Sequence, residues 1–319
     1  MFRTPICDLL GLDYPIIQGG MAWLGTHELV SAVSNAGGLG VIGCGGCDSV
    51  WVKKQIQETR ARTSRPFGVN VMLMSPHANE VMQTALEERV PVVCFGAGNP
   101  GKFMKRFKEA GIKIVPVVSS VALARLLERD GADAIVAEGM ESGGHIGETT
   151  TMVLVPQVVD AVRIPVIAAG GIADGRGLVA ALSLGAQAVQ MGTRFICSDE
   201  CIAHPEFKKR ITKARDRSTM VTGETLGHPV RCLENKMTRE FKIMERAGAS
   251  KEELEKFGIG KYHLGVIQGD LEHGSLLSGQ IAGMIYDIRP VKKILEDVMS
   301  EAELTMQKVL KMMKEASFA

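Results

Sequence analysis

Three stretches of the 319-residue chain combine residue types that support chemistry. ESGGHIG (141–147) sets His145 between the pair Gly143 and Gly144 and a further glycine, Gly147. Glycine lets backbone approach a bulky or flat ligand closely. Histidine changes charge near neutral pH, so this segment can offer a proton or a hydrogen bond to whatever its backbone touches. AAGGIADG (168–175) and QMGTRF (190–195) each close an apolar run with small residues, Gly170 and Gly171 in one, Gly192 and Thr193 in the other. Backbone N–H groups at such positions, with the helix start that follows, bind phosphate. Cys44 and Cys47 have the spacing of half a metal site, but no second pair follows. They read as two ordinary loop thiols, and no metal is expected.

The elements that position these stretches repeat along the chain. Apolar runs closed by glycine or a small polar residue occur at 15–20 (PIIQGG), 39–43 (LGVIG), 67–72 (FGVNVM), 92–98 (VVCFGAG), 113–119 (KIVPVVS), 134–139 (AIVAEG), 165–171 (PVIAAGG) and 188–195 (AVQMGTRF). Their near-continuous hydrophobicity is that of parallel strands covered on both faces. Between them, stretches such as ELVSAVSNAG and GLVAALSLGA carry apolar residues at three- and four-residue spacing, the mark of amphipathic helices. Eight strands alternating with helices predict an α/β fold, a closed (β/α)8 TIM barrel. The pattern places the barrel at residues 1–199, with Thr4 and Pro5 starting a helix ahead of the first strand. Residues 200–275, polar and without the repeat, read as a small, mostly helical lid. Residues 276–319 return to the barrel mouth through GSLLSGQIAGMI (274–285) and end in an amphipathic helix packed on the barrel.

Active sites of such barrels lie at the C-terminal ends of the strands. Gly19, Gly20 and Met21, Asn70, Gly96-Ala97-Gly98, Glu138, Gly170, Gly171, Gly192 and Thr193 all fall there. Strands that themselves end in Gly-Gly or Gly-Thr imply a large flat ligand with backbone pressed against it. The ends of strands seven and eight are the phosphate position, while Asp174, which would repel a phosphate, caps the following helix. Flavin mononucleotide (FMN) is flat, phosphorylated and suited to a backbone cradle; a sugar phosphate meets only one of these. Asn70 and Gln190 supply the paired donors and acceptors that a flavin edge requires.

Bulk properties exclude some classes. A formal net charge of +1 predicts neither nucleic-acid nor membrane binding from overall charge. No segment approaches the ~20 apolar residues of a membrane span. The N-terminus, interrupted by Asp8 and Asp13, does not read as a secretory signal. Seven scattered cysteines fit a reducing compartment, so a cytoplasmic protein is expected.

Taken in order, QGGMAW (18–23), AGGLGVIG (36–43), FGVNVMLMSP (67–76), GAGNP (96–100), EGMESGGHIG (138–147), AAGGIADG and QMGTRF resemble the FMN-dependent enoyl-acyl carrier protein reductase II family of bacterial fatty-acid synthesis. That family belongs to a wider group with the nitronate monooxygenases, and the resemblance runs from about Thr4 through SGQIAG. The Gly-Gly-His and QMGT elements are common to the group. QGGMAW, where the monooxygenases carry a QAPM-like sequence, looks like the reductase branch, as do FGVNVMLMSP and GAGNP. Oxidation of alkyl nitronates is the alternative activity.

The resemblance implies FMN held by Gly20, Met21, Ala22, Asn70, Glu138, Ser142, Gly143, Gly144, Gly170, Gly171, Gln190, Gly192 and Thr193. It also implies NADH or NADPH as reductant, trans-2-enoyl thioesters as substrates, and a homodimer. His145 then stands beside the flavin, either as proton donor or enolate-side hydrogen bond or as a group that only positions substrate. The basic run FKKRITKARDR (207–217), with Lys208, Lys209, Arg210 and Lys213, is expected to dock an acidic acyl carrier protein. An IMP dehydrogenase type of barrel needs a nucleophilic cysteine in the loop after strand six; GMESGGHIGETTTM has none, which excludes that chemistry.

Overall fold

In the computed structural model, residues 3–316 are described except Ala97, so the middle of the Gly-Ala-Gly turn lies outside the described residues. The strands in chain order are β1 (Ile16–Gln18), β2 (Leu39–Gly43), β3 (Phe67–Met72), β4 (Val92–Gly96), β5 (Lys113–Val118), β6 (Ile135–Glu138), β7 (Gly144–His145), β8 (Val166–Ala169), β9 (Ala188–Met191), β10 (Thr219–Thr222) and β11 (Val230–Leu233). All but β7, β10 and β11 form one closed parallel barrel, with β9 returning to pair with β1. The eighth expected run ends early: after Met191 the chain turns at Gly192 into a short helix, Thr193–Ile196, so 192–195 is not strand.

Strand pleating explains how the barrel aims its polar residues. Successive side chains alternate between faces. Val136 packs inside the barrel, while Ile135 and Ala137 pack outward against the helices, so Glu138 faces in. Ala188 likewise faces in and Val189 out, which turns Gln190 inward; Phe67, Val69 and Val71 face out, which turns Asn70 inward. Glu138 and Gln190 are therefore the last inward positions of their strands, and Asn70 stands one inward step before Met72 at the end of β3. The other end is plugged by the helix Pro5–Leu10, whose Ile6, Cys7 and Leu10 join the inner core with Ile17, Val41 and Val115. Thr4 begins that helix without a side-chain cap; its hydroxyl instead donates to the Gln187 carbonyl (2.6 Å), tying the plug to the start of β9.

The final helix, Val291–Ala316, lays Ile294, Leu295, Val298 and Met299 against the barrel, chiefly on the helix Gly175–Ser183. Glu301 fastens it by accepting from the Gly175 amide (2.9 Å). Among the described residues no helix is long and apolar enough to cross a membrane.

Residues 200–275 hold four helices, Pro205–Thr212, Lys236–Arg246, Lys251–Gly258 and Lys261–Val266, but they also hold β10 and β11. These strands pair antiparallel with each other, and β11 pairs with β7, aligning Val230 with His145 and Arg231 with Gly144. The histidine loop after β6 is thus not a free loop. It is the edge strand of a three-stranded sheet whose other members come from the segment read as a helical lid.

Candidate active site

A cavity of about 470 Å³ opens at the C-terminal ends of the barrel strands, and every site residue expected from sequence, His145 included, lines it. That volume lies within the range of small-molecule and cofactor pockets. Glu138, Asn70 and Gln190 reach it from inside the barrel, and the turns after β1, β8 and β9 bring Gly20, Met21, Ala22, Gly170, Gly171, Gly192 and Thr193 to its rim.

The histidine loop is anchored from both sides. Arg231, buried on β11, donates through Nε to the Met140 carbonyl (3.1 Å) and through a terminal nitrogen to the Thr219 hydroxyl (3.2 Å). The Glu141 carboxylate accepts from the Thr151 amide (2.9 Å), which pins the loop to the helix Thr151–Ala161. Gly143 serves packing: a Cβ there would sit 2.6 Å from the carbonyl carbon of Ser278, so its lack of a side chain admits the return segment. The Gly279 amide in turn donates to the buried Thr193 hydroxyl (3.0 Å), leaving the hydroxyl hydrogen free to donate elsewhere.

Electrostatics separate the two titratable groups. Burial raises the Glu138 carboxyl to about 7. Ser142 lies close enough to offset part of that rise, yet its buried hydroxyl makes no hydrogen bond of ordinary geometry. Burial lowers the His145 pKa, and the nearby His228 lowers it further. Its ring is open to the cavity but crowded by protein, so the imidazole is neutral at pH 7.

A stability effect follows from the Glu138 shift. The fold favours the protonated acid, so the stabilisation it provides is present below about 4.5 and is lost as pH rises towards about 7. Thermal unfolding of flavin-free protein, followed from about pH 5 to about pH 8, is expected to show this decline, and Glu138→Gln to flatten it. An equal decline in the variant would assign the effect to other groups.

The cavity residues fit FMN. Backbone lies bare at Gly170 and Gly171, the buried Ser142 and Ser278 hydroxyls have no protein partner, and Asn70, Gln190 and Glu138 offer hydrogen-bonding groups from inside the barrel. Asp174 caps the helix after β8, accepting from the Gly177 amide (3.1 Å), and so keeps its charge tied to that helix. Cys44 and Cys47 are buried free thiols whose pKa values burial raises, Cys47 to about 12, which leaves them protonated and poorly nucleophilic.

One expectation needs correction. Lys208 does not belong to an exposed basic patch: it is buried, its ammonium donating to the Ser198 carbonyl (2.6 Å). Lys209, Arg210 and Lys213 are exposed, with Lys209 paired to Glu206 (2.6 Å) and Arg210 donating to the Glu234 carbonyl (3.2 Å).

Sequence reading also missed contributors. Tyr262 on the helix Lys261–Val266, and Leu277 and Ile281 on the return segment, line the cavity. Placing SGQIAG at the mouth pointed to Leu277 and Ile281; no sequence signal marked Tyr262 or Arg231.

The family model for nitronate monooxygenase matches residues 3–301. The solved structure of FabK from Thermotoga maritima is 52% identical, covers 98% of this chain and 99% of its own, and superposes with a TM-score of 0.95. Two curated relatives differ in name. A "(3aS,4S,5R,7aS)-5-hydroxy-7a-methyl-1-oxo-octahydro-1H-indene-4-carboxyl-CoA dehydrogenase" from Mycobacterium tuberculosis is 33% identical over 94% of this chain and 96% of its own length. A probable nitronate monooxygenase from Staphylococcus aureus (strain MSSA476) is 37% identical over 76% of this chain and 81% of its own.

Proposed function

This chain belongs to the nitronate monooxygenase family, whose members and neighbours are FMN-dependent oxidoreductases, and we propose that within it the protein is an enoyl-acyl carrier protein reductase. The observation that carries this reading is the 52% identity with FabK over nearly the whole length of both chains, which takes in the lid and return segments as well as the barrel. FabK is an FMN-dependent enoyl-ACP reductase II. The M. tuberculosis relative is named for a carboxyl-CoA substrate, which supports a thioester as the substrate class.

Bound FMN would supply the hydride chemistry that links NADH or NADPH to the β-carbon of a trans-2-enoyl thioester, and the α-carbon would take its proton from solvent. The residues of this chain would bind, orient and polarise. Gly20, Met21, Ala22, Asn70, Glu138, Gln190 and the Ser142–Gly144 backbone would hold the ring, and Gly170, Gly171, Gly192 and Thr193 the phosphate. His145, neutral at pH 7 and fixed by its strand pairing, would donate a hydrogen bond to the thioester carbonyl as negative charge develops there. Tyr262 and Ile281 line the same cavity and would help to exclude water from the bound substrate. The remaining exposed cations Lys209, Arg210 and Lys213 favour an acidic carrier protein as the bearer of the substrate.

Steady-state assays separate this activity from its rival. Consumption of NAD(P)H that depends on an enoyl thioester and yields the saturated acyl product supports the reductase. Oxygen uptake with an alkyl nitronate, together with no enoyl-dependent turnover, assigns the chain to the monooxygenase activity instead.

A further inference from the structure

We propose that Trp23 sets the length of acyl chain the active cavity accepts, by standing between that cavity and a second, apolar pocket on its far side. The inference rests on the thioester-reductase reading above. Trp23 lines the active cavity on one side and, on the other, a pocket of about 220 Å³ walled by Trp51, Ile202, His263 and Ile267. Trp23 therefore borders both spaces.

The backbone marks Trp23 as a place where the ring itself is kept. Its φ is 62°, a left-handed conformation that Arg89 alone shares among the described non-glycine residues. That conformation costs an L-residue about 1–2 kcal/mol, whereas glycine adopts it freely. The ring is then held edge-on by two neighbours. The His263 ring lies at 5.0 Å and 78°, and the Trp51 ring at 6.2 Å and 65°. His263 follows Tyr262 on the lid helix, and the two line different spaces, Tyr262 the active cavity and His263 the second pocket. The lid thereby clamps the partition.

The chemistry of the second pocket names its occupant. Three of its polar side chains pair with one another: the His27 ring meets Gln55 Oε1 at 2.9 Å through Nδ1 and Glu28 Oε1 at 3.2 Å through Nε2. Thr26 Oγ1 and Glu28 Oε2 have no partner, but both are covered by protein atoms and do not reach the open space. An occupant would meet the aromatic faces, Ile267, and Ile202, which is 45% exposed. That is a lining for an aliphatic tail. With Trp23 in place a long acyl chain meets the indole; with a smaller residue there, the tail continues into the second pocket.

The test compares kcat/KM for trans-2-butenoyl and trans-2-dodecenoyl thioesters in the wild-type holoenzyme, Trp23→Gly and Trp23→Phe. Glycine carries no backbone penalty at this φ. The dodecenoyl-to-butenoyl ratio is expected to rise about tenfold in Trp23→Gly, the equivalent of roughly two further buried methylenes. Trp23→Phe carries the same prediction at smaller amplitude and serves if the glycine variant fails to fold. Adding Ile267→Phe to Trp23→Gly enlarges another lining side chain of the second pocket and is expected to remove the gain. An unchanged ratio in folded, flavin-loaded Trp23 variants overturns the proposal, as does a gain that Ile267→Phe leaves intact. A wild-type enzyme that reduces neither thioester removes the underlying reading, a result distinct from turnover of both with an unaltered length profile.

Discussion

Replacing His145 by alanine is expected to slow reoxidation of the reduced enzyme by a trans-2-enoyl thioester by about 10²–10⁴-fold, the range over which a positioned acid–base or hydrogen-bonding group acts. The flavin is expected to stay bound, because the backbone of the loop, held by Arg231 and by the Glu141–Thr151 bonds, does not depend on the imidazole. The pH profile identifies the working form. Burial and His228 hold the His145 pKa below its ordinary value of 6.5, so the neutral ring predominates at pH 7. A neutral donor gives a half-reaction rate that falls as pH drops through that lowered pKa, a limb that His145→Ala would lack. An imidazolium acid would give the opposite limb, with the rate falling as pH rises through the same value. Partial recovery in His145→Gln, which retains an N–H donor, would separate hydrogen bonding from a purely steric part in the cavity.

Gly170→Ala is expected to yield protein that loses its flavin and unfolds earlier, by about 2–4 kcal/mol. Two costs add there. Gly170 has φ 92°, a conformation that L side chains rarely adopt. Its missing Cβ would also lie 2.8 Å from the Gly139 carbonyl oxygen and 3.0 Å from the Thr151 hydroxyl. Both neighbours are fixed, Gly139 by its amide bond to the Ala169 carbonyl (2.9 Å) and Thr151 by Glu141. The strain therefore displaces the end of β8 and the turn that faces the phosphate position. Flavin absorbance of the purified variant, together with its unfolding midpoint, checks the expectation. A yellow protein of unchanged stability would mean that this turn has room to relax.

The barrel was legible because its strands are buried on both faces and so carry an uninterrupted apolar signal; LGVIG and FGVNVM coincide with β2 and β3 residue for residue. The cavity lining was legible for a related reason. The mouth residues follow those strands directly, and Asn70, Glu138 and Gln190 continue the inward alternation of their own strands.

What failed was whatever depends on pairing across long separations. TMVT and VRCL are four-residue strands in a charged stretch, too short to announce themselves, and they form only because each supports the other and β7. Arg231 and Tyr262 reach the site through that lid, with no periodicity to mark them. Lys208 misled because its sequence neighbours are basic and exposed, whereas its own ammonium satisfies the Ser198 carbonyl in the interior. A buried lysine that finds a carbonyl looks, in sequence, like any other member of a basic run.

The most direct test of the central claim is an anaerobic half-reaction. The holoenzyme is reduced with NADH or NADPH while the flavin absorbance is followed, and a trans-2-enoyl thioester is then added. A reductase bleaches with the nicotinamide nucleotide and regains its colour with the enoyl thioester, releasing the saturated acyl product. A flavin that NAD(P)H does not bleach, but that an alkyl nitronate does, would contradict the reductase assignment while leaving the barrel and its FMN cradle in place.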